Sequence, residues 1–532
     1  MKGIKNWKLS LCLLTAFLLV AMAVPAWRAE AATTGGTLVY GTWQAPDNLD
    51  PQVTGLQISM AIGTQIHDPL VRMRQGDPKV YPGLALSYKV SADVTEYTFN
   101  LRKGVTFHDG TPLNAQAVKF SLDRLANPET RSMSARGALG SYDSCTVIDA
   151  YTVRVKFKKP FAGFLNMCST VDVAILSPAA VQKWGDQYQF HVTGTGPFML
   201  KEYVPNDHVT LVRNPHYTWG PEWDHKGPAY LDGIVYRVIP EDLTRISTLK
   251  TGETNIIDNV RSHDITDLQN NPNVKVSISP VAGAPWILLL NVQQPPTNEK
   301  AVRIAVEYAV DRVALCNLLY KGTNQPHYSP IEKITLGYDP SIDKIYSFDP
   351  GKARKILDDA AWKMGQDGIR VKDGKPLKLV WVIWSGGAMD EPASVIQDQL
   401  KQVGMDVSIE TYDVGTAFGK WNSGDLNIAM PFYVWADPMF MQAWYGGDFI
   451  GSTNWAHVRD ADLQKLLDKC ETTANQKDRA AALKAVQKWL MENGVTVPLF
   501  GKSLALAMKK EIKGIEFELT GFPMYFEASI EK

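Results

Sequence analysis

The segment from Lys378 to Tyr412 constrains the fold of this chain more than any other. KLVWVIW (Lys378–Trp384) reads as a strand, the loop SGGAMD follows, a helix starts at Glu391, and MDVSIETY reads as a second strand. Strand, helix and strand in that order predict a β-α-β unit with parallel strands and a right-handed crossover. A parallel pair has to sit inside a sheet covered by helices, so the fold class is α/β. Ligands of such sheets gather beyond the carboxyl ends of the strands, where Trp384 and Tyr412 fall. WILLLNV, starting at Trp286, is a continuous apolar run short enough to be a strand buried on both faces.

Helical periodicity surrounds these strands. Asn298 is placed to cap a helix with Val302, Ala305, Val306 and Ala309 on one face, and Asp311 to cap a second through Leu319. Asp349-Pro350 supplies an N-cap and an N1 proline ahead of Ala353, Ile356, Leu357 and Ala360. Asp460 precedes the stripe Leu463, Leu466, Leu467 and Cys470, and Ala482, Val486, Trp489 and Leu490 form another. Stripes of this kind are core faces. Nearer the start, GGTLVYGTW is a strand running into the turn-forming loop QAPDNLDP. Tyr97, Phe99 and Leu101 alternate, as do Val153 and Val155 against Arg154 and Lys156.

A chain of 532 residues exceeds what one hydrophobic core can hold, so at least two domains are predicted. A first crossing between lobes is placed near Pro285, and strand-like alternation returns in TVPLFGKSLALAMKKEIKGIEFEL after the last helix. A chain that leaves one lobe, builds another and returns crosses twice. No internal repeat is visible.

Lys2, Lys5 and Lys8 precede an apolar run that stops at Pro25, and Ala29 and Ala31 then form an A-x-A pattern. This predicts a secretory signal peptide, residues 1–31, cut near Ala31, and an exported chain; the run is short for a membrane anchor. Cys12 opens the run rather than ending it, so it does not mark a lipid-attachment site. Export permits disulfides, but Cys145, Cys168, Cys316 and Cys470 lack C-x-x-C spacing; bridges and buried thiols both remain open. With 55 basic and 56 acidic residues the formal net charge is −1, which leaves no basic excess for nucleic acid.

FHDG, at Phe107–Gly110, places a histidine beside an aspartate. Adjacent residues of an extended segment point to opposite sides, and Asp-Gly suits a tight turn, so His108-Asp109 reads as a corner ahead of a helix capped by Asn114. The nine histidines show no H-x-H or H-E-x-x-H spacing, so no metal site is predicted. G-x-S-x-G and the phosphate-loop pattern are missing; Ser247 to Lys250 matches S-x-x-K without its companions and reads as a surface helix. Neither an enzyme nor a cofactor is indicated, although a secreted hydrolase on a similar scaffold is the competing class.

Five segments in order resemble the family 5 extracellular solute-binding proteins, the dipeptide-, oligopeptide- and nickel-binding receptors of ABC importers. They are YTFNLRKGVTFHDGTPLNAQAVKFSLDRL (97–125), GTGPFMLKEYVPNDHVTLVRNPHY (194–217), VRIAVEYAVDRVAL (302–315), DPGKARKILDDAAW (349–362) and VTVPLF (495–500). The resemblance implies a two-lobed periplasmic-binding-protein fold of the cluster C type, with two crossings and an extra subdomain. Lobe I would take residues 32–284 and 504–532, with the subdomain at about 60–195, and lobe II would take 285–503. It further implies a monomer that captures a small polar ligand in the interlobe cleft. That ligand, by default a short peptide, would pass to an inner-membrane permease with separate ATPase subunits. A metal chelate, an opine-like conjugate and an oligosaccharide are the alternatives, and a chemosensory role uses the same closure.

Candidate ligand contacts come from two sources. Aromatics at strand ends and loops can wall a cleft with flat apolar faces, which singles out Trp43, Trp384, Tyr412 and, within PFYVWADPMFMQAWYGGD, Trp435. Peptide-binding members of the family carry an aspartate near this last phrase that pairs with the ligand ammonium. The resemblance implies that Asp437 takes that role, or else belongs to the family's later Asp-Pro turn. A ligand carboxylate would need a cation, for which the loop at 130–143 offers Arg136.

Overall fold

The computed structural model describes residues 33–75, 77–321, 323–386 and 389–531, so the signal-peptide expectation lies outside the described residues. Beyond that segment the chain forms one compact unit from Thr34. Strand β1 (Thr37–Thr42) leads through the turn-rich loop to α1 (Gln57–Ile66), whose side chains are buried almost all round. An antiparallel four-stranded subdomain follows, from β2 (Ala85–Val90), β3 (Glu96–Leu101), β4 (Tyr142–Asp149) and β5 (Thr152–Phe157), in the order β2-β3-β5-β4. Its inward positions are the alternating ones, Tyr97, Phe99, Val153 and Val155, all buried. Between β3 and β4 lies α2 (Ala115–Ala126), capped by the Asn114 side chain accepting from Ala117 N–H.

The FHDG corner joins β3 to α2. Asp109 accepts from Thr111 N–H at 3.0 Å and from the Ser177 hydroxyl at 2.6 Å. His108 turns the other way: its main-chain N–H donates to Gly194 O, and Nε2 lies 3.0 Å from Gly196 O. Burial pushes this imidazole down to about 4, which keeps it neutral. The pair is structural, and the histidine ties this family-like phrase to the Gly194–Gly196 turn of the second.

The chain then builds β6 (Phe198–Val204), β7 (His208–Arg213), β8 (Gly233–Val238), α3 (Asp242–Thr251), β9 (Ile256–Ile257), α4 (Ser262–Gln269) and β10 (Val274–Pro280). Ser247 and Lys250 lie exposed on α3, as expected for a surface helix. From Pro280 the chain crosses into a second sheet through β11 (Trp286–Leu290), buried along its length apart from Trp286. Helices α5 (Lys300–Ala309), α6 (Arg312–Tyr320) and α7 (Pro350–Asp359) follow. Asp311 and Asp349 cap the last two, accepting from Ala314 and Lys352 N–H. Asn298 does not cap α5, because the N-cap is Glu299. The Arg303 guanidinium reaches back from inside α5 to the carbonyls of Thr297 and Asn298 and holds this entry instead.

The β-α-β unit is present as β12 (Lys378–Trp384), α8 (Asp390–Lys401) and β13 (Asp406–Tyr412), with the strands parallel and Trp384 opposite Tyr412. β14 (Ile428–Ala429), α9 (Ala461–Thr472), α10 (Gln476–Glu492) and β15 (Thr496–Phe500) complete this half, in the sheet order β13-β12-β14-β11-β15. The chain crosses back into β16 (Ser503–Lys509), which closes a seven-stranded sheet ordered β10-β16-β9-β1-β8-β7-β6. Each large sheet carries its own buried cluster, and each supplies one lobe. All four described cysteines are buried free thiols. No helix among the described residues is long and apolar enough to cross a membrane.

Candidate functional site

Between the two sheets lies a cavity of about 490 Å³. One wall comes from the β1 end, with Tyr40 and Trp43, and from Asp258 just past β9. The opposite wall comes from Thr323, Asn324 and Phe432, and Lys502 on the return crossing enters from the side. The chain folds this way locally because β1 and β9 pair in parallel, which brings the loops beyond their carboxyl ends together.

Asp258 organises the first wall. Its carboxylate accepts from the Thr42 hydroxyl and from Trp43 N–H, each at 2.9 Å, and so fixes the loop that presents Trp43. Burial raises the carboxyl to about 6, against those two hydrogen bonds and the buried Arg245 guanidinium 3.9 Å away. Lys502 is the cation of the site. Its main-chain N–H donates to Glu332 at 2.6 Å, and its ammonium lies 3.8 Å from the centroid of the Phe432 ring. Burial lowers the ammonium to about 8 and raises the Glu332 carboxyl to about 8. Among the described residues this ammonium has no ion-pair partner. A desolvated cation and a fixed carboxylate therefore line one aromatic-walled space, which suits a ligand carrying both charges.

Of the six residues expected from the sequence, the structure brings only Trp43, 44% exposed, to this cavity. Trp384 stacks on Phe418 and tilts against Trp421. Tyr412 beside it donates its hydroxyl to Glu410 and lies under the Lys420 ammonium. Trp435 is buried where the lobes meet, stacked on Tyr433 and packed into the first lobe's core cluster beside Gly137. Arg136, next to Gly137 in sequence, is exposed.

Asp437 requires a correction. Its side chain is wholly buried and forms a two-pronged ion pair with Arg479, at 2.5 and 2.7 Å. It also accepts from Met439 N–H at 2.8 Å. A Cβ on Gly163 would stand 2.6 Å from its Oδ1, so the first lobe closes directly over it. A carboxylate so occupied has no room for a ligand ammonium, and of the two roles the family likeness implied, the Asp-Pro turn fits the geometry. Sequence reasoning missed Asp258 and Lys502. The available signal was a charge within two residues of the end of an apolar strand, at IIDN and at VPLFGK.

Two α/β lobes joined by paired crossings, with a charged cavity between them, define a solute-binding receptor. Residues 79–455 match the family model described as bacterial extracellular solute-binding proteins, family 5 Middle. The chain belongs to that family: it is a binding protein rather than an enzyme, the solute-binding component of an ABC importer. Among curated proteins it is similar to the glutathione-binding protein GsiB of Shigella dysenteriae serotype 1. That match is 28% identical over 510 residues and covers 93% of this chain and 95% of the relative. Among solved structures it is similar to the ABC transporter-associated periplasmic binding protein DppA of Helicobacter pylori in complex with the peptide STSA. That likeness has 27% identity and a TM-score of 0.72, covering 94% of this chain and 99% of that one. HbpA2 of Haemophilus parasuis, at 23% identity with a TM-score of 0.82 over 93% of this chain and all of that one, shows the same fold.

Proposed function

We propose that this receptor captures a short peptide or peptide-like zwitterion in the interlobe cavity, with the ligand carboxylate on Lys502 and its ammonium toward Asp258. The single observation that carries this is the Lys502 ammonium, half-buried at the cavity without a carboxylate ion-pair partner among the described residues. A partly desolvated cation without a counter-charge is costly, and an incoming carboxylate removes that cost. The names of the relatives point the same way, toward glutathione for GsiB and a tetrapeptide for DppA. Lobe I takes residues 32–284 and 504–532 and lobe II takes 285–503, so closure turns on the segments around Gly283 and Lys502. The exported chain starts after Ala31, acts in the periplasm as a monomer, and presents its closed form to the permease.

Calorimetry with glutathione and a panel of di- to pentapeptides tests this. At least one carboxylate-bearing ligand binds stoichiometrically; Lys502→Met and amidation of that ligand each weaken it by about 2–5 kcal/mol, the range for truncating one partner of a buried charge pair. An absence of heat across the panel, or a Lys502→Met variant that binds as wild type, overturns it.

A further inference from the structure

A second cavity, of about 220 Å³, lies inside the first lobe, away from the interlobe space. Its walls are the chain after α1 (67–75), the loop around Trp223 and Asp224, and the returning C-terminal segment with Glu516, Phe517, Glu518 and Phe526. We propose that this cavity is a separate binding site for a small organic cation, an alkylammonium or guanidinium ion.

Charge is the first reason. Asp68 in the wall is neutralised by Arg72 at 2.5 Å, and Glu527 accepts from His225. Asp224, Glu516 and Glu518 remain against one further cation in the wall, Arg74, and among the described residues none of the three has an ion-pair partner. The second reason is that the wall holds buried acceptors in want of a donor, alongside two donors, Arg72 Nε and Trp223 Nε1, that are likewise unmet among the described residues. His67, 4% exposed, spends Nδ1 on Gly63 O, so as a neutral ring it offers Nε2 as an acceptor, and no described donor meets it. Glu518 uses Oε1 on Thr520 and Phe522 N–H, while Oε2 is buried without a partner.

The chemistry of the walls selects the kind of cation. Trp223, Phe517 and Phe526 supply aromatic faces, and the Arg74 guanidinium already lies 5.1 Å from the Trp223 ring centroid. Apolar and aromatic surface suits an alkyl chain. Bare metal ions are disfavoured because no group of three ligating side chains capable of holding one exists among the described residues. Burial together with the neighbouring Glu516 and Glu527 carboxylates pushes Asp224 up to about 7, against Arg72 and His225; burial also pushes Glu518 up to about 7, with Asp172 adding to it. A bound cation favours the ionised carboxylates, so its affinity falls as pH is lowered from about 8 to about 6.

Calorimetry on the full exported chain with 1,5-diaminopentane, n-butylammonium and arginine amide tests this, with sodium and magnesium chloride at matched ionic strength as controls. One or more of the organic cations binds at a single site, and Asp224→Asn combined with Glu516→Gln weakens it at least tenfold. Lys502→Met leaves it unchanged, which separates this site from the interlobe cavity. The two amide replacements are near-isosteric and relieve repulsion between carboxylates, and a melting curve confirms that the variant is folded. Absence of saturable binding for all three organic cations overturns the proposal. So does equal binding of magnesium, or binding that survives the double variant and disappears in Lys502→Met.

Discussion

At the scale of single residues, the pairing of Asp437 with Arg479 decides what the WADP phrase does. Both side chains are fully buried, and Arg479 also donates from Nε to Cys470 O. Removing one partner strands the other charge without solvent, so Asp437→Ala is expected to cost about 3–5 kcal/mol of stability by urea denaturation. Its effect on ligand affinity, measured on folded protein, is small by comparison with that of Lys502→Met. The reverse ranking would return Asp437 to the cleft. The aspartate stands in plain view in the sequence, but Arg479 lies on a distant helix, and nothing local shows that the two will meet. Trp43 reaches the interlobe cavity because a residue at the end of a strand in an α/β sheet has few places to go other than the edge beyond the carboxyl ends. Trp435 obeyed the same pattern and was buried instead, since the facing lobe supplied a complementary surface at Gly137.

At the scale of elements, local rules carried far. Asn114, Asp311, Asp349 and Asp460 all cap the helices that their positions suggested, because a cap is satisfied by N–H groups two or three residues away. Asn298 failed for a tertiary reason: Arg303 and the carbonyl network around it hold the start of α5 one residue later. Urea denaturation separates the two cases. Asn114→Ala loses about 1 kcal/mol, as expected for a used cap, whereas Asn298→Ala stays within about 0.5 kcal/mol. The β-α-β unit and the alternating subdomain strands were equally legible, since hydrophobic period reports which faces are buried. Strand order was not. β16 enters the first sheet between β10 and β9, a placement set by where the return crossing lands.

At the scale of the whole molecule, burying carboxyl groups between and within lobes leaves a signature in pH. Burial raises Glu307 to about 7, against its Arg312 partner, and Glu332 to about 8, both from an ordinary value of 4.5. The folded chain therefore holds protons that the unfolded chain releases. The stabilisation is fully present below about 4.5 and is lost as pH rises through about 7 to 8, at up to about 1.4 kcal/mol per pH unit for each group. Melting temperature is expected to fall between about pH 6 and 8, and Glu332→Gln, which keeps the acceptor for Lys502 N–H, flattens that fall. A melting temperature that rises over this window would contradict the burial of these acids. Sequence alone settled the α/β class, most of the helix starts and the family, because each is written in patterns spanning a few to a few dozen neighbouring residues. Only the tertiary structure decided that Lys502 and Asp258 share a cavity, that Asp437 is spent on Arg479, and that unpaired carboxylates converge beside Trp223. Those outcomes depend on contacts between residues from about forty to several hundred positions apart, and which partner desolvates a charge is set by the packing of whole lobes.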